Sequence, residues 1–152
     1  MRSPVSDLKP LALVVAALLL AGCGDDEPTG PEFGDLEFSP SSPVLIGAAR
    51  QAELELFNRS NGALGPLALG AGVPLSFPSG EFVCPGLEIV ITPNQIQSIG
   101  AGGSTDVVVD FSFAGLDEEE CPLATYEADV NAALGNTVLG SSQIRLDHTE
   151  LE

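Results

Sequence analysis

The chain has 152 residues, enough for one domain, and carries 22 Asp and Glu against five Lys and Arg, a formal charge of −17. Such a surface repels nucleic acid, so no nucleic-acid partner is expected. Trp is absent, while 17 Gly and 12 Pro favour turns and short strands over long helices.

Residues 1–22 read as a signal peptide. Arg2 and Lys9 supply positive charge ahead of Leu11–Leu20, an unbroken apolar run. That run is about half the roughly 20 residues needed to span a bilayer, so it fits a signal h-region and is too short for a membrane helix. It ends in Leu20-Ala21-Gly22-Cys23, which resembles the lipobox of bacterial lipoproteins. The resemblance implies cleavage before Cys23, lipidation of its thiol and anchoring in a membrane. Small residues at Ala21 and Gly22 let a peptidase approach the backbone, and several acyl chains on one residue anchor stably where a single chain does not. Gly24 stands where an Asp would retain such proteins at the inner membrane. The resemblance therefore implies an envelope location, the outer membrane where the cell has two. Removing the leader leaves three arginines (Arg50, Arg59, Arg145) against 21 acidic side chains, and no lysine.

Residues 23–32 read as the lipidated Cys and a flexible acidic tether. Gly24-Asp25-Asp26-Glu27-Pro28-Thr29-Gly30-Pro31-Glu32 is too polar and too rich in Gly and Pro to pack.

From Phe33 to His148 the dominant signal is alternation with a period of two, the mark of half-buried strands. Ala52, Leu54 and Leu56 oppose Glu53 and Glu55. Val107, Val109, Phe111 and Phe113 oppose Asp106, Asp110 and Ser112. Ala124, Tyr126, Ala128, Val130 and Ala132 oppose Thr125, Glu127, Asp129 and Asn131. A helix would scatter these sets around its circumference. Leu54, Val107, Val109, Phe111 and Tyr126 are accordingly expected in the core. Shorter strands are expected at 36–38, 44–46, 67–69, 75–77, 87–92 and 137–146. Ser39-Pro40, Ser42-Pro43, Asn61-Gly62 and Gly100-Ala101-Gly102-Gly103 provide the turns. This pattern predicts an all-β fold, a single antiparallel β-sandwich at 33–148, followed by a tail at 149–152.

Three segments resemble bacterial immunoglobulin-like domains of the CARDB and Hydin-like type. They are Asn58-Arg59-Ser60-Asn61-Gly62 after a strand, Ile99-Gly100-Ala101-Gly102-Gly103-Ser104 before Val107-Val108-Val109, and Ala124-Thr125-Tyr126-Glu127-Ala128-Asp129-Val130. The sequence departs from that pattern at Ala124, where a Gly is usual. The resemblance implies an immunoglobulin-like sandwich and no particular ligand.

Cys84 and Cys121 are the thiols left after Cys23. Export would place them where disulfides persist, and a structural disulfide is the expected outcome. Free thiols and metal or redox chemistry are the other readings, although the spacing is not C-x-x-C. Asp117-Glu118-Glu119-Glu120 is expected to be an exposed loop tip. A weak calcium site completed by other loops is the alternative, since calcium needs about 6–8 converging oxygens. His148, the only histidine, is expected beyond the last strand in a polar segment. No G-x-S-x-G, H-E-x-x-H or phosphate-binding loop before a helix is present. The sequence thus predicts no catalytic residues, no cofactor and no enzyme. It predicts a membrane-anchored module that binds an envelope protein or serves as a structural part of the envelope. The alternative is an accessory domain for a divalent cation or a glycan.

Overall fold

The computed structural model describes residues 30–46, 49–113 and 120–148. Among them, strands form at β1 (Leu36–Ser39), β2 (Val44–Ile46), β3 (Gln51–Asn58), β4 (Leu67–Ala71), β5 (Leu75–Phe77), β6 (Leu87–Thr92), β7 (Gln95–Ile96), β8 (Ser104–Phe113), β9 (Ala124–Leu134) and β10 (Thr137–His148). The alternating segments become strands because each has one apolar side to hide and one polar side to leave in water. They assemble into a four-stranded sheet, β1-β3-β8-β6, and a six-stranded sheet, β2-β10-β9-β4-β7, with β5 also paired to β9. The result is a β-sandwich, as the pattern predicts, and of the immunoglobulin-like type that the resemblance implies.

The core lies between the sheets. Leu54 and Leu56 of β3, Val107, Val109 and Phe111 of β8, and Tyr126, Val130 and Ala132 of β9 are buried there, with Ile144 and Leu146 of β10. All five core residues expected from alternation are among them. In β8 Phe111 is buried while Asp110 is not, so the strand has the expected register.

The structure departs from a purely antiparallel sandwich at β2, which pairs parallel to β10 with Val44 opposite Arg145 and Ile46 opposite Asp147. The cause is local. Pro40 and Pro43 cannot donate to a ladder and interrupt the strand after β1. The chain steps across to the other sheet without reversing, so β2 continues in the direction of β1. Strand β7 was not legible, because two residues carry no periodicity.

The registers define two ends. The start of β1, the end of β3, the start of β8 and the β9–β10 turn lie together at one end. Asn58 fastens the loops there. It is fully buried, and its amide donates to the carbonyls of Gly62, Ile99 and Gly100 at 2.7, 2.9 and 3.1 Å. Its side-chain oxygen accepts from the N–H and hydroxyl of Ser60. The sheets approach closely at the same end. A Cβ on Gly140 would lie 2.3 Å from the Leu36 carbonyl oxygen, next to a bulge between Val138 and Gly140.

At the other end, Cys84 and Cys121 are joined in a disulfide with Cα atoms 5.2 Å apart, well inside the range such a bond spans. Both are buried. Nearby, Tyr126 donates its hydroxyl to the Pro122 carbonyl at 2.6 Å. A tyrosine bonded to backbone a few residues upstream is a recurrent corner lock of immunoglobulin-type sandwiches.

Candidate functional site

The sequence-predicted site residues do not converge. Cys23, Asp117, Glu118 and Glu119 lie outside the described residues, as do the leader, most of the tether and the 149–152 tail. Glu120 is described and exposed. Among the described residues, no group of three or more His, Cys, Asp or Glu side chains is arranged to hold a metal ion. The two cysteines form the disulfide rather than a ligand pair.

His148 corrects the sequence reading. It is the last residue of β10, not part of a polar tail, and it is 5% exposed. Its ring packs 5.6 Å from Phe113 and 6.4 Å from Tyr126 between centroids. Burial and then the positive charge of Arg50 push its pKa down, while a hydrogen bond with the Cys121 backbone opposes them. This histidine is part of the core at the disulfide end.

The feature that sequence reasoning missed is the outer face of the six-stranded sheet. Two cross-strand rows cross it. One runs Val44, Arg145, Glu127, Leu75, and the next Ile46, Asp147, Thr125, Phe77. Each spans three strand spacings, about 14 Å. Polar pairing occupies the middle. The Arg145 guanidinium forms an ion pair with Glu127, and Thr125 donates its hydroxyl to Asp147. Apolar side chains flank it on both sides. Ile46 is 68% exposed, Val73 64% and Phe77 47%, and Val44 is also exposed. Arg145 lies 4.5 Å over the Phe77 ring, tying the ion pair to the apolar margin.

Beside Phe77 the face is concave. A pocket of about 490 Å³ is walled by Val73, Leu75, Phe77 and Pro78, with Glu127, Asp129 and Gln143 across from them. Gly72 and Val73, where the chain passes from β4 to β5, also line it, and the Gly72 N–H donates to the Asp129 carbonyl. The arrangement offers apolar contact and carboxylate acceptors, and it suits binding. The signal for it was present in Val44-Leu45-Ile46. A strand apolar at three successive positions has one side with no core to enter.

The outer face of the four-stranded sheet differs. Glu53, Glu55 and Asp106 gather there around Val108, with Asp110 farther along β8 and Glu88 on the neighbouring β6.

No protein-family model matches this sequence, nor does any curated protein. Several solved structures are similar in shape. The periplasmic chaperone SfaE shares 12% identity over 76% of this chain and 58% of its own, with a TM-score of 0.47. The E. coli chaperone DraB shares 16% identity over 76% of this chain and 54% of its own, with a TM-score of 0.46. A C. elegans MSP family member shares 9% identity over 76% of this chain and 99% of its own, also at 0.46. The chain thus spans little more than half the length of the two chaperones.

Proposed function

We propose that this chain is an exported lipoprotein, held at a membrane of the cell envelope through lipidated Cys23. Its sandwich binds a partner protein on the outer face of the six-stranded sheet and catalyses no reaction. The observation that carries the reading is the exposed apolar margin of Val44, Ile46, Val73 and Phe77 around the Arg145–Glu127 pair. Exposed apolar patches rimmed by polar residues mark sites of association. The acids between the apolar flanks also indicate the partner's chemistry. Glu127, Asp129 and Asp147 line this face in a chain of net charge −17, so the complementary surface offers a basic group at its centre and apolar contacts on either side.

Export is supported by the apolar run ahead of Leu20-Ala21-Gly22-Cys23 and by the buried Cys84–Cys121 bond, a bond type favoured in oxidising compartments. Two measurements test the two halves of the proposal. Fractionation with metabolic palmitate labelling should place the wild type in the membrane and release Cys23→Ser from it. A wild type that takes up no label overturns the anchor. For the face, a photo-crosslinker at Phe77 should give one defined adduct in intact cells. Ile46→Glu should abolish that adduct, and a crosslinker at Glu53 on the opposite face should give none. Equal adducts from both faces would overturn the assignment.

A further inference from the structure

The two ends of the sandwich differ in charge. Three loops close the first end, residues 59–66, 97–103 and 134–138. They contain no acidic residue and one cation, Arg59. In a chain with 21 acids after Cys23 this is a marked depletion. Gly30 also lies at this end, beside the 59–64 loop. Phe33, three residues later, is 69% exposed, and Val138 is exposed as well. Two acids before β1, Glu32 and Asp35, also sit at this end beside the 59–64 loop, and the Asp35 carboxylate accepts the Glu32 backbone N–H at 2.8 Å. The opposite end presents exposed Glu81 and Glu120, and the sequence joining Phe113 to Glu120 adds Asp117, Glu118 and Glu119.

Length then restricts orientation. Gly30 lies seven positions after Cys23, a reach of at most about 25 Å. Strand β10 has 12 residues, which makes the sandwich roughly 40 Å long at about 3.3 Å per residue. With its disulfide end on the bilayer, the domain would hold Gly30 farther from the surface than the tether can reach. Lying on the four-stranded sheet would press Glu53, Glu55, Asp106 and Asp110 against headgroups, which anionic lipid opposes.

We propose that the acid-poor loop end rests on the lipid surface that holds Cys23, with Phe33 seated at the headgroup boundary and the acidic end directed away. The inference depends on Cys23 being lipidated as proposed above. It leaves the apolar face of the six-stranded sheet upright and open to a partner, with its strands along the membrane normal.

The test uses the full chain extracted from membranes and reconstituted in vesicles of phosphatidylcholine and phosphatidylglycerol containing a headgroup-spin-labelled lipid. One exposed cysteine is introduced per variant, Ala101→Cys at the loop end or Ala49→Cys at the disulfide end, and labelled with a fluorophore. Flotation reports anchoring, and quenching reports proximity to headgroups. Quenching should be several-fold stronger at position 101 than at 49. Adding Phe33→Glu should reduce the difference while flotation persists. Floating protein with equal quenching at the two positions, or stronger quenching at 49, overturns the orientation alone. Protein that fails to float overturns the anchor, and this inference with it.

Discussion

Asn58 illustrates how a single polar side chain can specify a local structure. At the sequence level it ends the alternation of β3 and resembles a turn residue. In the fold it is buried and every hydrogen-bonding group of its amide is used. Replacing it with Ala would remove the amide's bonds to three loop carbonyls and leave a void, at a cost of about 2–3 kcal/mol. Asn58→Asp should cost more, because a carboxylate would face three carbonyl oxygens. Urea midpoints at constant m-value measure both. His148 gives a pH-dependent prediction. Its folded-state pKa is depressed below 6.5 by burial and Arg50. The unfolded chain therefore binds a proton near 6.5, while the folded protein does so only at lower pH. Its effect on stability is nil above about 6.5; below that, stability falls with pH until the folded state is also protonated. Thermal melts between pH 8 and 5 should show this loss, and His148→Phe should flatten it. The sequence did not reveal this residue, because a polar side chain closing an alternating strand resembles the start of a tail. Extending the β10 alternation by one step, from Leu146 past Asp147, would have placed it inside.

At the level of elements, the long strands were legible in the sequence because every other residue pointed to the same side. β3, β8 and β9 each carry four or more periods, and their expected inward residues are buried, except that Phe113 and Ala124 at strand ends are only half-buried. The parallel pairing of β2 and the two-residue β7 were not legible. Strand direction across a sheet switch and two-residue ladders are fixed by tertiary contacts, not by local pattern. The candidate binding face was hidden for a related reason. Its rows combine residues from β2, β10, β9 and β5, so they exist only once the registers are set. Two contacts between elements can be weighed. The disulfide closes the loop between residues 37 positions apart, and on the chain-entropy model its loss in a Cys84→Ala/Cys121→Ala variant costs about 4 kcal/mol. Denaturant unfolding of non-reduced protein against the double variant measures it. Gly140 lets β1 approach β10, since any Cβ there would collide with the Leu36 backbone. Gly140→Ala should destabilise by about 1–3 kcal/mol, whereas Gly70→Ala, with open space around it, should have no packing penalty.

For the whole molecule, charge is the organising quantity. The outer faces and the disulfide end carry most of the acids, and each of Arg50, Arg59 and Arg145 lies over a phenylalanine ring, at 5.6, 4.8 and 4.5 Å. Arg59 and Arg145 are also paired with Glu37 and Glu127. The few cations are thus used within the fold, and they leave a net charge of −17 for the full chain. A compact body with that charge repels itself, and unfolding relieves the repulsion by moving the charges apart. Exposed like charges 4 Å apart repel by about 1 kcal/mol in water, and 0.15 M salt screens interactions beyond about 8 Å. Added salt should therefore raise the midpoint of thermal unfolding gradually, without saturating at a stoichiometric concentration. NaCl and CaCl₂ at matched ionic strength should act alike if the ions only screen. The cluster of exposed Glu53 and Asp106 with half-buried Glu55 is the place where they would diverge if an ion were bound instead. A steep rise in midpoint at micromolar calcium, absent in Glu55→Gln/Asp106→Asn, would show specific binding and defeat the screening account. A shallow rise shared by both salts, and reduced in proportion to the charge removed, is the result that self-repulsion predicts.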